Sequence, residues 1–188
     1  MLSHVIPNSR YRKAVVWADG EKPRWSNGLA AVAMFLSSVI NKVDAKGRVS
    51  LPARFRAALG EHRDQGIVAF PSFADPAIEA CGPDFMQVLS EQVNALRRFS
   101  EQHRVLSHTL FALSVELAFD STGRIMLPDR LRRHAGITDT AVFVGQGKTF
   151  QIWAPDQYDL HAQGILDRAR EMKLTLGAAP TAQAEAQP

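Results

Sequence analysis

The sequence predicts an α+β fold built from two copies of one unit, and three observations carry that prediction. A stretch of the chain recurs 76 positions further on. Each copy reads as two strands joined by a tight turn and followed by a short helix. The segment between the copies carries apolar residues at helical spacing. The recurrence links 43–56 to 119–132. Asp44, Gly47, Arg48, Leu51, Pro52, Arg54 and Arg56 return as Asp120, Gly123, Arg124, Leu127, Pro128, Arg130 and Arg132, and Gly60 returns as Gly136. Val49/Ile125 and Phe55/Leu131 are conservative pairs in the same register. Chance supplies roughly one identity in such a window, so a duplication explains the match.

The elements follow in order. Residues 36–43 and 115–119 are apolar-rich, and the second run alternates as a half-buried strand does. Asp-x-x-Gly-Arg supplies a turn after each. The aspartate can bond backbone groups two residues on, and the glycine can take a positive φ without steric cost. Val49–Leu51 and Ile125–Leu127 return as strands. Pro52 and Pro128 stand at the first turn of a helix, where a missing N–H costs nothing, and Gly60 and Gly136 stop those helices. Further strands are expected at Ile67–Phe70, Ile78–Cys81, Ala141–Val144 and Phe150–Trp153. Pro83-Asp84 and Pro155-Asp156 each open a helix. Between the copies, Phe85, Val88, Leu89, Val93 and Leu96 make an apolar stripe over a helix that spans 84–112 with a break near Ser100. The last helix covers about 156–174, and the Ala-rich stretch from Gly177 is expected to be disordered.

Composition narrows the function. The chain of 188 residues is 46% apolar and 22% charged, as a folded protein is, and no apolar run reaches the length of a membrane-spanning helix. One cysteine, Cys81, excludes an intramolecular disulfide framework and a cysteine-cluster zinc site, and fits a reducing cytoplasm. The net charge is +3, and residues 1–33 carry that excess with five basic groups against two acidic ones. That extension is expected to be disordered or not translated. Its apolar run from Leu29 lies too far from the start, and encloses its own small-residue pattern, for a secretory signal.

Chemistry for catalysis does not assemble. No histidine forms an i,i+4 pair, and no Gly-x-Ser-x-Gly is present. Gly147-Lys-Thr149 ends like a phosphate-binding loop, but Val142 stands where that loop needs glycine and a strand follows where it needs a helix. No enzyme activity, metal, cofactor or small-molecule substrate is expected.

The charge clusters instead at the two turns. Lys42, Lys46, Arg48, Arg54 and Arg56 stand against Asp44 alone, and Arg124, Arg130, Arg132 and Arg133 against Asp120 and Asp129. A two-stranded ribbon fits the DNA major groove, arginine can bind guanine edges bidentately, and lysine can neutralise phosphate. Lys42, Lys46, Arg48, Arg54, Arg124 and Arg130 are the candidate DNA contacts. Asp44, Gly47, Asp120 and Gly123 are the candidate structural residues of the turns. A second reading stays open, in which Arg48 and Arg124 only brace the turns by pairing with Asp44 and Asp120.

At these residues the chain resembles the MraZ family of bacterial transcriptional regulators. The doubled Asp-x-x-Gly-Arg, the helical spacer, and Met34-Phe35 followed by Asn41 to Arg48 carry the resemblance, which covers about 34–174. It implies two AbrB-like swapped-hairpin half-barrels closing into one pseudo-twofold β-barrel flanked by helices. The first repeat would span 34–82, the helical spacer 83–113, the second repeat 114–157, the C-terminal helix 158–174 and the tail 175–188. It also implies a ring of several subunits that binds short direct repeats in the promoter of its own operon, within the division and cell-wall gene cluster, on the nucleoid in the cytoplasm. The family's contacting basic residues map to Lys46, Arg48 and Arg124. Thr122 stands where the first copy has Lys46, so the second turn is expected to bind less tightly. An antitoxin-like protein-binding module of the same superfamily is the alternative.

Overall fold

The structure, a computed structural model, describes residues 34–174. The expectations for 1–33 and 175–188 lie outside the described residues. The described residues form eight strands and five α-helices in the order β1 (Ser38–Lys42), β2 (Arg48–Ser50), α1 (Ala53–Ala58), β3 (Gly66–Pro71), β4 (Ala77–Cys81), α2 (Pro83–Ala95), α3 (Glu101–Ser107), β5 (Val115–Ala118), β6 (Arg124–Met126), α4 (Asp129–His134), β7 (Thr140–Gly145), β8 (Thr149–Trp153) and α5 (Pro155–Glu171).

Six strands make one antiparallel sheet in the order β1-β7-β8-β4-β3-β5, and β2 pairs with β6 in a separate ribbon. The order reads the same from either end once each strand is exchanged for its counterpart in the other copy. The first strand of each copy pairs with the third strand of the other: Ile40 faces Val142 between β1 and β7, and Ile67 faces Leu117 between β3 and β5. Like strands meet in the middle, with Ile78 opposite Ile152 between β4 and β8. The expected α+β class therefore stands, and its strands form one large antiparallel sheet and a small ribbon. β1 and β5 are the sheet's edges among the described residues, and no strand pairing closes it into a barrel there.

Phe35, Phe55, Phe143 and Phe150 form the centre of the core. Phe35 and Phe150 lie 4.7 Å apart by ring centroid, and Phe55 and Phe150 lie 5.2 Å apart. Phe55 of α1 and Leu131 of α4 are fully buried and fix the inward faces of those two short helices. On the other side of the sheet, Trp153 packs with Ala77 and Val142, and α5 covers them with Tyr158 and with His161, whose ring lies 4.6 Å from that of Trp153. The Trp153 indole donates to Gln151 Oε1 (2.9 Å), and Gln151 Nε2 donates to Glu79 (2.6 Å), so this buried amide is satisfied. Partial burial holds the Glu79 carboxyl above its usual range.

The spacer is two helices, α2 and α3, that part between Leu96 and Ser100, where the break is expected. The chain is extended at Leu96, and Ser100 caps α3 by accepting from the N–H of His103 (3.1 Å). A π-type turn over His108–Ala112 follows. Pro52 and Pro128 sit one position before their helices, as N-caps in extended conformation. Cys81 is fully buried, and burial pushes its thiol up to about 12.

Candidate nucleic-acid interface

Each Asp-x-x-Gly-Arg folds as a three-residue hairpin loop. The N–H of Asp44 donates to the carbonyl of Arg48 (2.9 Å), and the N–H of Gly47 donates to that of Asp44 (2.8 Å). Gly47 has φ +82°, the left-handed residue that such a loop requires. The second copy repeats this through Asp120, Gly123 (φ +75°) and Arg124.

The aspartate organises each loop. Asp44 Oδ1 accepts from the N–H groups of Lys46 and Arg48 (2.9 Å each), and its Oδ2 accepts from Arg48 Nε (2.6 Å). Asp120 accepts from the N–H groups of Thr122 (2.9 Å) and Arg124 (3.0 Å), from Thr122 Oγ1 (2.7 Å) and from Arg124 Nε (2.8 Å). The backbone N–H of the arginine is the main reason that both carboxyls lie below the ordinary carboxylate range, Asp120 well below it.

The two arginines meet on one surface. In the β2–β6 ribbon Arg48 faces Met126, and Ser50 faces Arg124. Strand alternation puts these four side chains on one face and Val49 and Ile125, each 1% exposed, on the other. Arg48 and Arg124 are diagonal neighbours, about 7–8 Å apart at Cα. The same outer face carries Met126, opposite Arg48 and 58% exposed. Only Nε of each guanidinium is engaged among the described residues. The pairing with aspartate holds the group through Nε and leaves its two terminal nitrogens, a planar fork of donors, without a partner among the described residues. Such a fork matches two acceptors on a phosphate or on a guanine edge. Bracing the turn and presenting donors are thus compatible in one side chain.

Lys46 is exposed at the tip of the first loop, and Lys42 is exposed at the end of β1, where it pairs with Thr140. Arg54 and Arg130 lie elsewhere. Arg54 Nη1 donates to Ser37 Oγ (2.7 Å), and Arg130 Nη2 donates to the carbonyl of Leu113 (2.6 Å). These are equivalent places at the entry to β1 and β5. Ser37 is about 20 Å along the strand from Asp44. The arginines two residues further on, Arg56 and Arg132, do reach the loops, each crossing to the other copy. A Cβ on Gly47 would sit 2.8 Å from the Leu127 carbonyl and 3.1 Å from Arg132 Nε, and a Cβ on Gly123 would overlap Arg56 Nη1. Sequence reasoning counted Arg56 and Arg132 in the basic clusters but took Arg54 and Arg130, not them, as candidate contacts. The available signal was that Phe55 and Leu131 point inward, which turns the flanking arginines to different sides.

Gly145 to Gly147 is a hairpin connection between β7 and β8, with no phosphate-loop geometry. Among the described residues no group of three or more His, Cys, Asp or Glu could hold a metal ion, and no helix is long and apolar enough to cross a membrane.

A family model described as "MraZ protein, putative antitoxin-like" matches residues 110–175. The chain is 40% identical over 143 residues to the transcriptional regulator MraZ of Rickettsia akari (strain Hartford), which covers 76% of this chain and 96% of that protein. It is 41% identical over 143 residues to the transcriptional regulator MraZ of Rickettsia canadensis (strain McKiel), with the same coverage. To that of Rickettsia bellii (strain OSU 85-389) it is 41% identical over 144 residues.

Proposed function

The chain belongs to the MraZ family, and from that premise we propose that it is a sequence-specific DNA-binding regulator of transcription. Its targets are short direct repeats in the promoter of its own operon, within the division and cell-wall gene cluster, and it acts in the cytoplasm on the nucleoid. The observation that carries the reading is the outer face of the β2–β6 ribbon, where Arg48 and Arg124 stand as diagonal neighbours with their terminal nitrogens unengaged. A ribbon of two strands has the width to enter the major groove. Lys46 and Lys42 flank it and supply phosphate contacts. Arg54 and Arg130 are left out of the contact set because they hold the starts of β1 and β5.

The two copies form swapped-hairpin half-barrels that close on each other. Support comes from the exchange of first strands between copies and from the contacts of β2 with β1 and of β6 with β5, which set the ribbon across the sheet's open edges. The subunits assemble into a ring. Residues 34–174 carry 17 basic against 16 acidic groups, so one subunit has little long-range attraction for DNA and must gain affinity by acting with its neighbours. Leu160, Ile165 and Leu166 on α5, and Met172 just after it, leave apolar surface for subunit contacts.

The test is a fluorescence-anisotropy titration of the full chain with the duplex upstream of its own gene and with a scrambled duplex. The proposal expects preferential binding to the upstream duplex, and loss of that preference in Arg48→Ala. Equal binding to both duplexes would overturn it.

A further inference from the structure

The two loops differ in sequence in a way that predicts one strong and one weak DNA contact. The structure supplies a second difference that cancels the first. At the first loop, Lys46 and Arg48 stand with Asp44, and Arg132 reaches over from α4. Arg132 is itself paired with Asp129. The local sum is three cations against two anions, or +1. At the second loop Thr122 replaces the lysine, its hydroxyl turned inward to Asp120, so Arg124 and Asp120 alone sum to zero. There Arg56 reaches over from α1. The residue equivalent to Asp129 in the first copy is Ala53, so Arg56 has no acid on its own helix. Among the described residues its guanidinium makes no ion pair and no side-chain hydrogen bond. With Arg56 the second loop also sums to +1.

We propose that Arg56 is a phosphate-contacting residue of the second loop, standing in from the other copy for the lysine that the loop lacks. Two further features fit. The Arg56 guanidinium lies against Gly123, where any Cβ would overlap it, so it sits at the loop itself rather than near it. Arg56 also lines an open cavity of about 340 Å³ with Ala53, Ala57, Arg63 and Asp64, so it is not sealed in by its own helix. Arg63 there is paired with Asp64, so Arg56 is the cation of that lining without an acidic partner among the described residues. The two Arg-bearing loops of one subunit therefore present equal charge to DNA by different residues, Lys46 at one and Arg56 at the other.

This inference rests on the DNA-binding reading, and the experiment separates the two. Affinity for the upstream duplex is measured across a salt series for the full chain, Arg56→Gln, Ala53→Asp, Arg56→Gln/Thr122→Lys and Arg48→Gln, each with a thermal melt. Each neutralised phosphate contributes a slope of about 0.9 in log affinity against log salt. Arg56→Gln should lose about that slope per contacting subunit, and about eightfold in affinity at 0.1 M salt. Ala53→Asp should move the same way while keeping the arginine, because it supplies the acid that the other copy has in Asp129. An acid in the first turn of a helix does not cost stability, so its melt should hold. Thr122→Lys should restore the slope in the Arg56→Gln background. If Arg56→Gln and Ala53→Asp bind with unchanged slope while Arg48→Gln loses affinity, Arg56 is not a contact and the function stands. If Arg56→Gln loses affinity only in proportion to a lowered melt and Ala53→Asp is neutral, Arg56 is a structural group and the inference falls. If the unaltered chain does not prefer the upstream duplex, the reading of function falls and takes this one with it.

Discussion

Replacing Arg48 by lysine should separate charge from shape at the first loop. Arg48 uses Nε for Asp44 at 2.6 Å and keeps two terminal nitrogens for a ligand. Lysine has one ammonium on a free stem, so it can pair with Asp44 or reach DNA, and cannot hold a planar fork in either case. The charge survives, so the salt slope should match that of the unaltered chain. The bidentate contact is lost, which costs about 1–3 kcal/mol of discrimination for each base read, or about 5- to 150-fold between the upstream and scrambled duplexes. Arg48→Ala loses both, so its slope should fall by about 0.9 per contacting subunit as well. Stability should change little. The side chains of Arg48 and Asp44 are 36% and 35% exposed, and pairs of that exposure contribute little, so the melting temperature should fall by no more than about 4 °C. Anisotropy titrations of the three proteins against both duplexes from low to high salt read all of this. The reasoning is refuted if Arg48→Lys keeps full discrimination, or if Arg48→Ala loses binding only because it no longer folds.

Further outcomes follow from the same geometry. Asp44 and Asp120 have carboxyls held below their unfolded values, so what they add to stability is complete above about pH 4 and is lost as pH falls toward the folded values. Asp120→Asn should therefore flatten the acid limb of urea-midpoint curves, and an unchanged limb would contradict the assignment. His62 is held above its usual value, first by Gln65 and then by Asp84, so its contribution is present below about pH 6.5 and disappears as pH rises through the folded value. His62→Gln should remove that slope from the same curves. Gly47→Ala must carry a left-handed φ and a Cβ at 2.8 Å from a carbonyl, whereas Gly60→Ala has the φ alone with nothing within 4 Å. The first should cost more than the second, whose strain is about 1 kcal/mol, by chemical denaturation. Equal losses would show that the loop yields. Deleting one of several promoter repeats, or changing their spacing by half a helical turn, should weaken binding far more than in proportion to the sites lost, which a gel shift reads directly. A single repeat bound by a monomer as tightly as the full array would refute the ring.

The parts of the fold that depend on neighbours in sequence were legible. Asp44, Gly47 and Arg48 are close enough that their spacing dictates the loop, and its recurrence at Asp120, Gly123 and Arg124 announced two similar units. The helix starts at Pro83 and Pro155 were legible for the same local reason. The pairings are another matter. β1 lies beside β7 and β5 beside β3 because buried faces such as those of Ile67 and Leu117 find each other across fifty residues or more. No local pattern carries that register, and the exchange of strands was expected only from the family resemblance. The site was half legible. Basic residues near the turns could be counted, but which of them reach the loops depends on how α1 and α4 dock. Burial of Phe55 and Leu131 turns Arg54 and Arg130 toward the strand entries, and Arg56 and Arg132 toward the loops of the opposite copy. The expectation of a weaker second loop rested on Thr122 alone and took no account of Arg56, 66 positions before it.

The proposed function requires DNA to meet the outer face of the β2–β6 ribbon. Met126 is the place to ask, since it lies on that face opposite Arg48, is 58% exposed and carries no charge. A photo-crosslinking amino acid placed there removes no proposed contact. Leu166, exposed on α5, is the control. With the upstream duplex bound, irradiation should attach DNA to the chain through position 126 and not through 166, and competitor upstream duplex should abolish the product. Crosslinking through 166 with none at 126 would mean that DNA lies on another face and that the arginines of the ribbon only hold their turns.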